Sequence, residues 1–529
     1  MTLPPAAPFR YSRVTDLVVF LVLAGLSLLW FRHNFNYGLD DSYITFRYAQ
    51  NLAAGEGLCF NPGERHFGST AMGLALILGV ASFLIDFPTR GSIRFEGHLA
   101  TCGTTIPFLA HALSALSLGM IVWILFKIGE RTAGKAAAAI LALASALMLY
   151  PAHYLNSVSG HETLFYLSLI FTAFYLIYFL EKTAAPAFIL VLATTVRPDC
   201  FLAFLIAACF LFIRSCLGSA AARRVLIFLA AYLAPISGWM LFCRSYFGTW
   251  LPVTLEAKQV QVLLGHWDTY SLSLLVEQSL GVFGPIAASL LFLLPLLSIL
   301  VVFAKKASFR RFFETSGMLF LLSFGAFASG QAVFYHLIRI TAWWWYYTPV
   351  LLLLFLSAPV SVFILLQPVR KGQSARFFKP LLITASLAAV APAVASLSSF
   401  HLWAAGSAAN AHIHAYDPVV EYVRANAPHG TSLAMAEPGV VGFNLGPAYH
   451  VIDLLGLTSP QVAQRILSGD MDFPYTRWNP EYLVASWDGI FSPTSREWIS
   501  ERYEIIAEFP YPYWIEHLSR GAYLYRRKG

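Results

Sequence analysis

The sequence predicts a polytopic α-helical membrane protein that carries a smaller α/β domain toward its C-terminus. The chain has 529 residues, of which 58% are hydrophobic and 12% charged, and its mean hydropathy is +0.63. Soluble domains contain about 25% charged residues, so this composition excludes an ordinary soluble protein. Many apolar segments approach the roughly 20 residues that a membrane-crossing helix needs. From about His412 onward the chain becomes polar, with Pro, Asp, Trp and Tyr spread evenly along it.

The candidate spans are long apolar segments with few charges. They are Asp16–Phe31, Leu99–Phe126, Ala136–Tyr150, Leu164–Leu180, Cys200–Leu217, Val225–Cys243, Leu280–Ala304, Phe312–Leu337, Trp345–Gln367 and Leu381–Trp403. A shorter segment, Ala185–Val196, counts as a further span that breaks before Arg197 and Pro198. The first run follows Arg10 and Arg13 and lacks a cleavage pattern of small residues, so we interpret it as a retained helix.

Four clusters of basic residues set the orientation. They are Lys127/Arg131/Lys135, Arg214/Arg223/Arg224, Lys305/Lys306/Arg310/Arg311 and Arg370/Lys371/Arg376/Lys379. Short basic loops belong on the cytoplasmic side, so the net charge of +7 reflects topology and not nucleic-acid binding. All four clusters lie inside only if Thr70–Pro88 runs along the outer surface or re-enters it. The sequence thus predicts about eleven transmembrane helices, a cytoplasmic N-terminus and an outer, periplasmic C-terminal domain.

The predicted organisation has two parts. Residues 1–405 form the transmembrane region, with a first outer loop at 32–97, and residues 412–529 form the α/β domain. In this domain, DPVVEYVRANAP predicts a helix entered through Asp417 and Pro418. Strands or strand ends are predicted at TSLAMAE, AYHVIDLLGL, EYLVAS, YEIIAEF and AYLYRR.

Cysteines and metal motifs give little indication of a cofactor. The six cysteines show no metal-binding spacing, and the sequence has no HExxH motif, Walker loop or Rossmann glycine set. We therefore predict no cofactor and no metal site. A disulfide between Cys59 and Cys102 on the outer side stays open, because sequence alone does not establish such a bond.

Two adjacent carboxylates stand out in GLDDSYITFRYAQNLAAGEGLCFNPGE, which runs from Gly38 to Glu64. Asp40 and Asp41 begin a predicted helix whose residues Ile44, Tyr48 and Leu52 form a stripe suited to the membrane surface. The start of a helix favours negative charge, so a capping role would explain the presence of either acid. A cap accounts for one acid better than for two, which leaves a functional carboxylate as the alternative.

This stretch, with four others, resembles a bacterial branch of the GT-C membrane glycosyltransferases, and most closely the mycobacterial terminal arabinofuranosyltransferases. The others are SGHET (Ser159–Thr163), TTVRPDC (Thr194–Cys200), YFGTWLPVTLEAK (Tyr246–Lys258) and EPGVVGFNLGPAYHVIDLLGLTSPQVA in the outer domain. The sequence departs from the family where RHFGST (Arg65–Thr70) replaces an aromatic-rich segment and where Cys200 replaces a glycine. These departures affect the expected identity of the donor sugar or of the acceptor, and not the expected class of reaction.

The resemblance implies transfer of a sugar from a polyprenyl-phosphate donor to an acceptor hydroxyl outside the cytoplasm. Asp40 or Asp41 would be the general base, since two close carboxylates push their proton affinities apart; Asp40 is slightly favoured, because Asp41 opens the helix and is the better cap. Arg197, Lys258 and Arg339 would hold the phosphate as its charge grows. As alternatives, Arg197 pairs with Asp199, Lys258 is a solvated charge and Arg339 is an interfacial anchor.

Four further residues are expected to contact substrate. They are Glu162, His161, Tyr346 and Tyr347. Glu162 would orient sugar hydroxyls, although it would equally stabilise the start of the next helix. The tyrosines would stack on sugar rings, although an aromatic belt at the membrane surface explains them as well.

The sequence therefore predicts a glycosyltransferase of the bacterial inner membrane, with arabinofuranose or a similar pentose as the donor sugar. A hexose transferred to a lipid-linked glycan or a protein is the alternative within this class. A lipid-linked sugar flippase or transporter would place paired ionisable residues near mid-membrane and show related halves, and the sequence shows neither. A non-enzymatic assembly protein with a carbohydrate-binding outer domain is the third alternative.

Overall fold

The structure is a computed structural model. It describes residues 17–18, 20–25, 39–89, 105–133, 160–216, 222–265, 268–274, 276–277, 316–341, 343, 345–353, 356, 408–485, 493–510 and 521–529. The membrane region contains nine helices with defined bounds among these residues. They are α1 (Asp40–Ala53), α2 (Met72–Thr89), α3 (Ile106–Ala133), α4 (Thr163–Tyr178), α5 (Ala184–Val196), α6 (Phe201–Cys216), α7 (Ala222–Phe247), α8 (Thr254–Leu263) and α9 (Ser316–Ile338).

Four segments of the described chain are long and apolar enough to cross a membrane. They are Ile106–Arg131, Pro198–Cys216, Ala222–Phe247 and Leu319–Ile338. Three shorter apolar helices accompany them: Met72–Ile85, Thr163–Tyr178 and Ala184–Val196. The predicted spans Ala136–Tyr150, Leu280–Ala304 and Leu381–Trp403 lie outside the described residues, so the number of about eleven stays a prediction. The protein is thus a helical membrane protein, as its composition predicts.

The helices differ in how much of their surface the protein covers. Helix α4 is apolar on all sides and is mostly buried, as expected for a central helix. Its Phe171 packs edge-on against Phe320 and Phe324 of α9, with ring centres 5.2 and 4.8 Å apart. Helix α5 ends before Pro198, whose ring disfavours helical backbone in the preceding residue. Arg197 is accordingly extended, with φ −152° and ψ 113°, at the end of the helix.

Helix α2 is formed by most of the segment Thr70–Pro88, which the sequence predicts to lie along the outer surface, or to re-enter it, and not to cross the membrane. One face packs on α1, where a Cβ at Gly79 would come within 2.8 Å of the Ala49 carbonyl oxygen. The opposite face exposes an apolar stripe of Leu76, Val80, Phe83 and Leu84. Such a stripe is typical of contact with lipid. Whether α2 crosses the bilayer stays a prediction.

The topology can be tested by cysteine labelling at positions that lie outside the described residues. In a chain whose native cysteines are replaced, we expect single cysteines at Ser92 and Ser407 to react with an impermeant maleimide from the outer side. A cysteine at Ser219, in the second basic loop, should react only after the membrane is opened. Labelling of Ser92 from the inner side alone would show that residues 70–88 cross the membrane.

The C-terminal part folds around one mixed sheet of strand order β2-β1-β3-β5-β4. Its elements are α10 (Ala408–Asn426), β1 (Ser432–Met435), α11 (Pro438–Leu445), β2 (His450–Asp453), α12 (Pro460–Leu467), α13 (Phe473–Trp478), β3 (Tyr482–Ala485), α14 (Pro493–Arg502), β4 (Tyr503–Pro510) and β5 (Gly521–Arg527). β1 is parallel to β2 and β3, whereas β5 is antiparallel to β3 and β4. Each of the five segments predicted as strands contains one.

The first helix of this part does not begin where the sequence predicts. Helix α10 begins at Ala408, and Pro418 lies inside it instead of at its first turn. The alanine-rich residues ahead of Asp417 have high helix propensity and carry the helix backward along the chain. The prediction that Asp417 caps the helix is wrong.

Helix α1 also differs from its predicted setting. Ile44 and Tyr48, two members of the predicted surface stripe, are buried in protein. The helix lies between α2 and α11, so both its apolar stripe and its opposite side, with Phe46 and Arg47, are covered. The stripe therefore packs against protein and not against lipid. An apolar stripe by itself does not distinguish lipid from a second protein layer.

Candidate active site

Asp40 opens α1, but its carboxylate binds a different helix. Its two oxygens accept hydrogen bonds from the backbone N–H groups of Gly439 (3.0 Å) and Val440 (2.7 Å). These amides belong to the start of α11, where free N–H groups attract negative charge. Burial and the Glu437 carboxylate raise the pKa of Asp40 well above its ordinary value, and the two amide hydrogen bonds oppose that rise. Asp40 therefore caps a helix of the C-terminal domain.

Asp41 points elsewhere, because successive residues of an α-helix are rotated by about 100°. Its Oδ2 lies 3.5 Å from Nζ of Lys258, and the two side chains are 30% and 9% exposed. A separation of 3.5 Å is long for a charged hydrogen bond. The Asp41 carboxylate is thus held near a cation and is still accessible to a further partner.

Lys258 lies in the middle of α8, in a polar and aromatic setting. Its Nζ is 5.4 Å from the centre of the Trp343 ring, and its backbone carbonyl accepts a hydrogen bond from the Thr341 hydroxyl at 3.0 Å. Burial alone would lower the pKa of Lys258, but the Asp41 carboxylate outweighs it, and the pKa is raised. Lys258 is consequently a fixed positive charge at neutral pH.

His161 and Glu162 lie at the start of α4 and are both buried. Nε2 of His161 is 3.2 Å from Glu162 Oε2, and Nδ1 is 2.8 Å from the Thr163 hydroxyl. Burial lowers the pKa of His161, although the Glu162 charge opposes it, so the imidazole is neutral at pH 7. The His161 ring centre lies 5.1 Å from that of Trp345, which stacks on Trp343, the ring next to the Lys258 ammonium.

Arg197 is buried and fully engaged. Its guanidinium donates to Glu162 Oε1 (3.1 Å), to Asp199 Oδ1 (3.1 Å) and to the Tyr335 hydroxyl (2.7 Å). The Tyr335 hydroxyl and the Gln331 amide also donate to Asp199. The proposed pairing of Arg197 with Asp199 is therefore present, but Glu162 shares the same cation. Glu162 joins Arg197 to His161 in one buried chain of polar groups.

The aromatic residues after Arg339 divide between two settings. The Tyr346 ring centre lies 5.1 Å from the Arg197 guanidinium carbon and 4.7 Å from the Tyr335 ring, so it borders the polar chain. Tyr347 is instead stacked on Tyr270, with ring centres 4.4 Å apart, and is 1% exposed. The structure thus brings Tyr346 to the site and places Tyr347 in the core behind it.

Arg339 follows the end of α9 and has an exposed side chain. Its φ is 50°, a left-handed conformation that ends helices and is unusual for a residue other than glycine. Among the described residues, no ion pair joins Arg339 to Asp41, Glu162 or Asp199, the carboxylates next to Lys258 and Arg197. Of the three predicted phosphate contacts, the structure brings Lys258 beside the predicted carboxylate and puts Arg197 in the adjoining polar chain.

The possible disulfide between Cys59 and Cys102 involves one residue that the structure describes and one that it does not. Cys59 is a free, buried thiol, and Cys102 lies outside the described residues. Within the described part of the chain, no group of three or more His, Cys, Asp or Glu residues is placed to hold a metal ion.

Several residues of the region were not predicted from the sequence. Tyr335 and Gln331 belong to the long apolar helix α9, and the polar Gln331 inside that apolar run is the available sequence signal. Arg47 is fully buried in α1, and the first loop and C-terminal domain meet around it. A charged residue inside an otherwise apolar pattern was the available signal for Arg47.

The described contacts can now be compared with known proteins. No curated protein matches the sequence. Residues 407–526 match a family described as "Domain of unknown function (DUF8728)". Among solved structures, ArnT from Cupriavidus metallidurans bound to undecaprenyl phosphate has a TM-score of 0.54 at 13% identity, over 97% of this chain and 98% of that one. The apo state of the same protein gives 0.55 at 13% identity, with the same coverage. The chain has the GT-C membrane fold.

The GT-C fold extends over nearly the whole chain, including the domain after residue 407. The prediction of a GT-C membrane fold is therefore confirmed. At 13% identity the likeness concerns the fold alone. The closer resemblance to arabinofuranosyltransferases, and the roles of individual residues, stay predictions.

Proposed function

We propose that this GT-C protein is a glycosyltransferase of the bacterial inner membrane. It transfers a sugar from a polyprenyl-phosphate donor to a hydroxyl group of a cell-envelope glycan or another acceptor on the outer side. The observation that carries the proposal is the accessible Asp41 carboxylate, 3.5 Å from the ammonium group of Lys258. A base beside a fixed cation is what a reaction needs when it deprotonates a hydroxyl and releases a phosphate. A polyprenyl-phosphate partner is supported by the undecaprenyl phosphate bound to the ArnT structure of the same fold.

The reaction assigns different roles to the two charges. Asp41 accepts the proton of the acceptor hydroxyl while the oxygen of that hydroxyl forms a bond to the anomeric carbon of the sugar. The bond from that carbon to the phosphate oxygen breaks, and negative charge grows on the departing polyprenyl phosphate. Lys258 stabilises that charge, and its attraction to the phosphate frees Asp41 from the loose ion pair.

The buried polar chain next to this pair suits sugar recognition. Glu162 is fixed by Arg197 on one side and by His161 on the other, so its orientation is set before a ligand binds. We assign Arg197 to positioning Glu162, because three acceptors already occupy its guanidinium. Tyr346 is the aromatic surface on which the sugar ring packs, and Tyr347 supports the site from the core. Arg339, two residues before the Thr341 that binds α8, remains a phosphate contact at the edge of the site.

A pentose donor of the arabinofuranose type is the finer part of the proposal. It rests on the sequence motifs around Asp40, Arg197 and Lys258, and a hexose donor is the alternative on the same scaffold. The experiment is transfer by the purified protein from matched polyprenyl-phosphate donors, one carrying arabinofuranose and one carrying a hexose, to a glycan acceptor. Release of free polyprenyl phosphate together with glycosylated acceptor supports a transferase. Movement of intact donor across a vesicle membrane without that release would support a flippase instead.

Removal of the Lys258 charge gives a direct test of the phosphate site. We expect Lys258→Ala to weaken use of the donor by about tenfold or more, since a hydrogen bond to a charged group contributes about 1.5–3 kcal/mol. The measurement is donor saturation in the transfer assay. Lys528→Ala is the matched control, because Lys528 also belongs to the outer part but contacts only the carbonyls of Ser500 and Glu501. Unchanged donor saturation in Lys258→Ala would contradict the assignment.

A further inference from the structure

The first outer loop and the C-terminal domain meet in a polar interface, which we call the seam. The seam comprises the contacts of Asp40, Arg47, Asn61 and Glu64 with residues 438–451. These residues come from two of the sequence motifs, which are nearly 400 positions apart in the chain. Both motifs therefore serve a single contact surface.

Arg47 lies at the centre of the seam and is completely buried. Its guanidinium donates to five oxygen atoms: Phe60 O, Asn61 Oδ1, Gly442 O, Gly446 O and Tyr449 O. None of the five acceptors carries a charge. Burial lowers the pKa of Arg47 to about 9, so the side chain is still a cation at neutral pH. A buried cation held only by neutral carbonyls adds little stability. The planar guanidinium, however, holds its N–H donors in a fixed geometry and so fixes the orientation of the groups that it binds.

Asn61 extends the seam to the edge of the sheet. Its amide accepts a hydrogen bond from Val451 N (3.0 Å) and donates one to Val451 O (2.9 Å), as a neighbouring strand would. Glu64 adds a contact of 2.9 Å to His450. The Asn61 side chain thus pairs with the backbone at the open edge of β2.

The geometry of α1 connects the seam to the site. Asp40 and Arg47 are seven residues apart, which is nearly two full turns, so they share one face of the helix. Tyr43 lies on the same side and packs edge-on against Phe443 of α11 at 5.4 Å. Asp41 is turned by about 100° from that face, toward α8. Contacts at both ends of this face leave α1 no freedom to rotate about its axis.

We propose that the C-terminal domain positions the base: Arg47 and its carbonyl partners fix the rotation of α1 so that Asp41 faces Lys258. Arg47 is then a positioning residue, and the C-terminal domain is a working part of the active site. The inference rests on the proposed function for its kinetic consequence. The orientation of Asp41 is a separate physical claim that does not depend on catalysis.

The kinetic test compares Arg47→Lys with the wild-type protein. Lysine keeps the charge but offers a single ammonium in place of a five-donor fork, so α1 keeps the Asp40 contact at one end of this face and loses the Arg47 contacts at the other. We expect kcat to fall by about 100-fold, as for a catalytic group displaced by about 1 Å, with KM for the donor nearly unchanged. Arg526→Lys is the control, because Arg526 lies in the C-terminal domain away from the seam and forms an exposed pair with Glu504. Asn61→Leu, which removes the contacts with Val451, should give a smaller fall of the same kind.

The orientation test needs no activity. In a chain without native cysteines, cysteines at positions 41 and 258 should be joined efficiently by a short bifunctional maleimide. Adding Arg47→Lys should reduce that yield several-fold, whereas Arg526→Lys should not. The positioning role would be overturned if the cross-linking yield were unchanged in both Arg47→Lys and Asn61→Leu. It would also be overturned if either variant gave a reduced yield but a normal kcat. A wild-type protein that transfers no sugar would overturn the proposed function alone, and the cross-linking yield would still decide the orientation.

Discussion

Asp41→Asn should reduce sugar transfer by about 100- to 10,000-fold, the usual contribution of a general base. Asparagine keeps the size of the side chain and one acceptor oxygen, but an amide does not take up the acceptor proton. The melting temperature in detergent should change little, because the pair with Lys258 is loose and the carboxylate is 30% exposed. The measurement is the single-turnover rate at saturating donor, alongside melting of the same preparation.

Asp40→Asn is the informative comparison, since the same chemical change is made one residue away. It leaves one oxygen for two amides, Gly439 N and Val440 N, and so should lower the free energy of unfolding by about 1–3 kcal/mol. Transfer should fall far less than in Asp41→Asn. Asp470→Asn, at an exposed site of the C-terminal domain, controls for loss of charge. If Asp40→Asn abolishes transfer and Asp41→Asn does not, Asp40 is the base and its raised pKa serves that role.

The sequence predicts those parts of the fold that depend on local pattern. Apolar length locates α6, α7 and α9 to within about four residues, because the cost of exposing backbone to lipid forces continuous helices. It also finds α3, but the predicted bounds lie seven residues too early at both ends. Short, mostly apolar segments locate the strands of the C-terminal sheet, whose central members are buried along nearly their whole length. The start of α10 was missed because the residues before Pro418 favour a helix more strongly than the proline limits it.

The site shows where local pattern stops being informative. The Asp-Asp pair marks the right stretch of sequence, but only the fold separates a carboxylate bound to α11 from one beside Lys258. Local sequence does not reveal the role of Arg47, because three of its five acceptors, Gly442 O, Gly446 O and Tyr449 O, lie about 400 residues away. Arg197 was chosen for its charge, yet the structure gives that charge two carboxylate partners. Contacts between distant segments decide which charges are free to act.

Arg197→Ala should destabilise the protein strongly. Arg197 is the shared partner of Glu162 and Asp199, and all three are at least 86% buried at the side chain, with exposures of 6%, 6% and 14%. Removal of one partner from a buried ion pair leaves an uncompensated charge and costs about 3–5 kcal/mol. Arg224→Ala is the matched control, because Arg224 makes a similar contact of 3.2 Å with Glu181, which is 63% exposed. Exposed pairs contribute only about 0–1 kcal/mol, so this control should melt nearly as the wild type does.

A triple variant separates the two roles considered for Arg197. When Glu162→Gln and Asp199→Asn accompany Arg197→Ala, no buried charge is left without a partner, and much of the lost stability should return. Transfer should not return with it, because Glu162 no longer presents a carboxylate to the sugar. The measurements are melting in detergent and donor saturation for the single, triple and control proteins. A single Arg197→Ala protein that melts normally but fails to saturate with donor would identify Arg197 as a phosphate ligand, since a residue that holds two buried carboxylates together does not leave stability unchanged when it is removed.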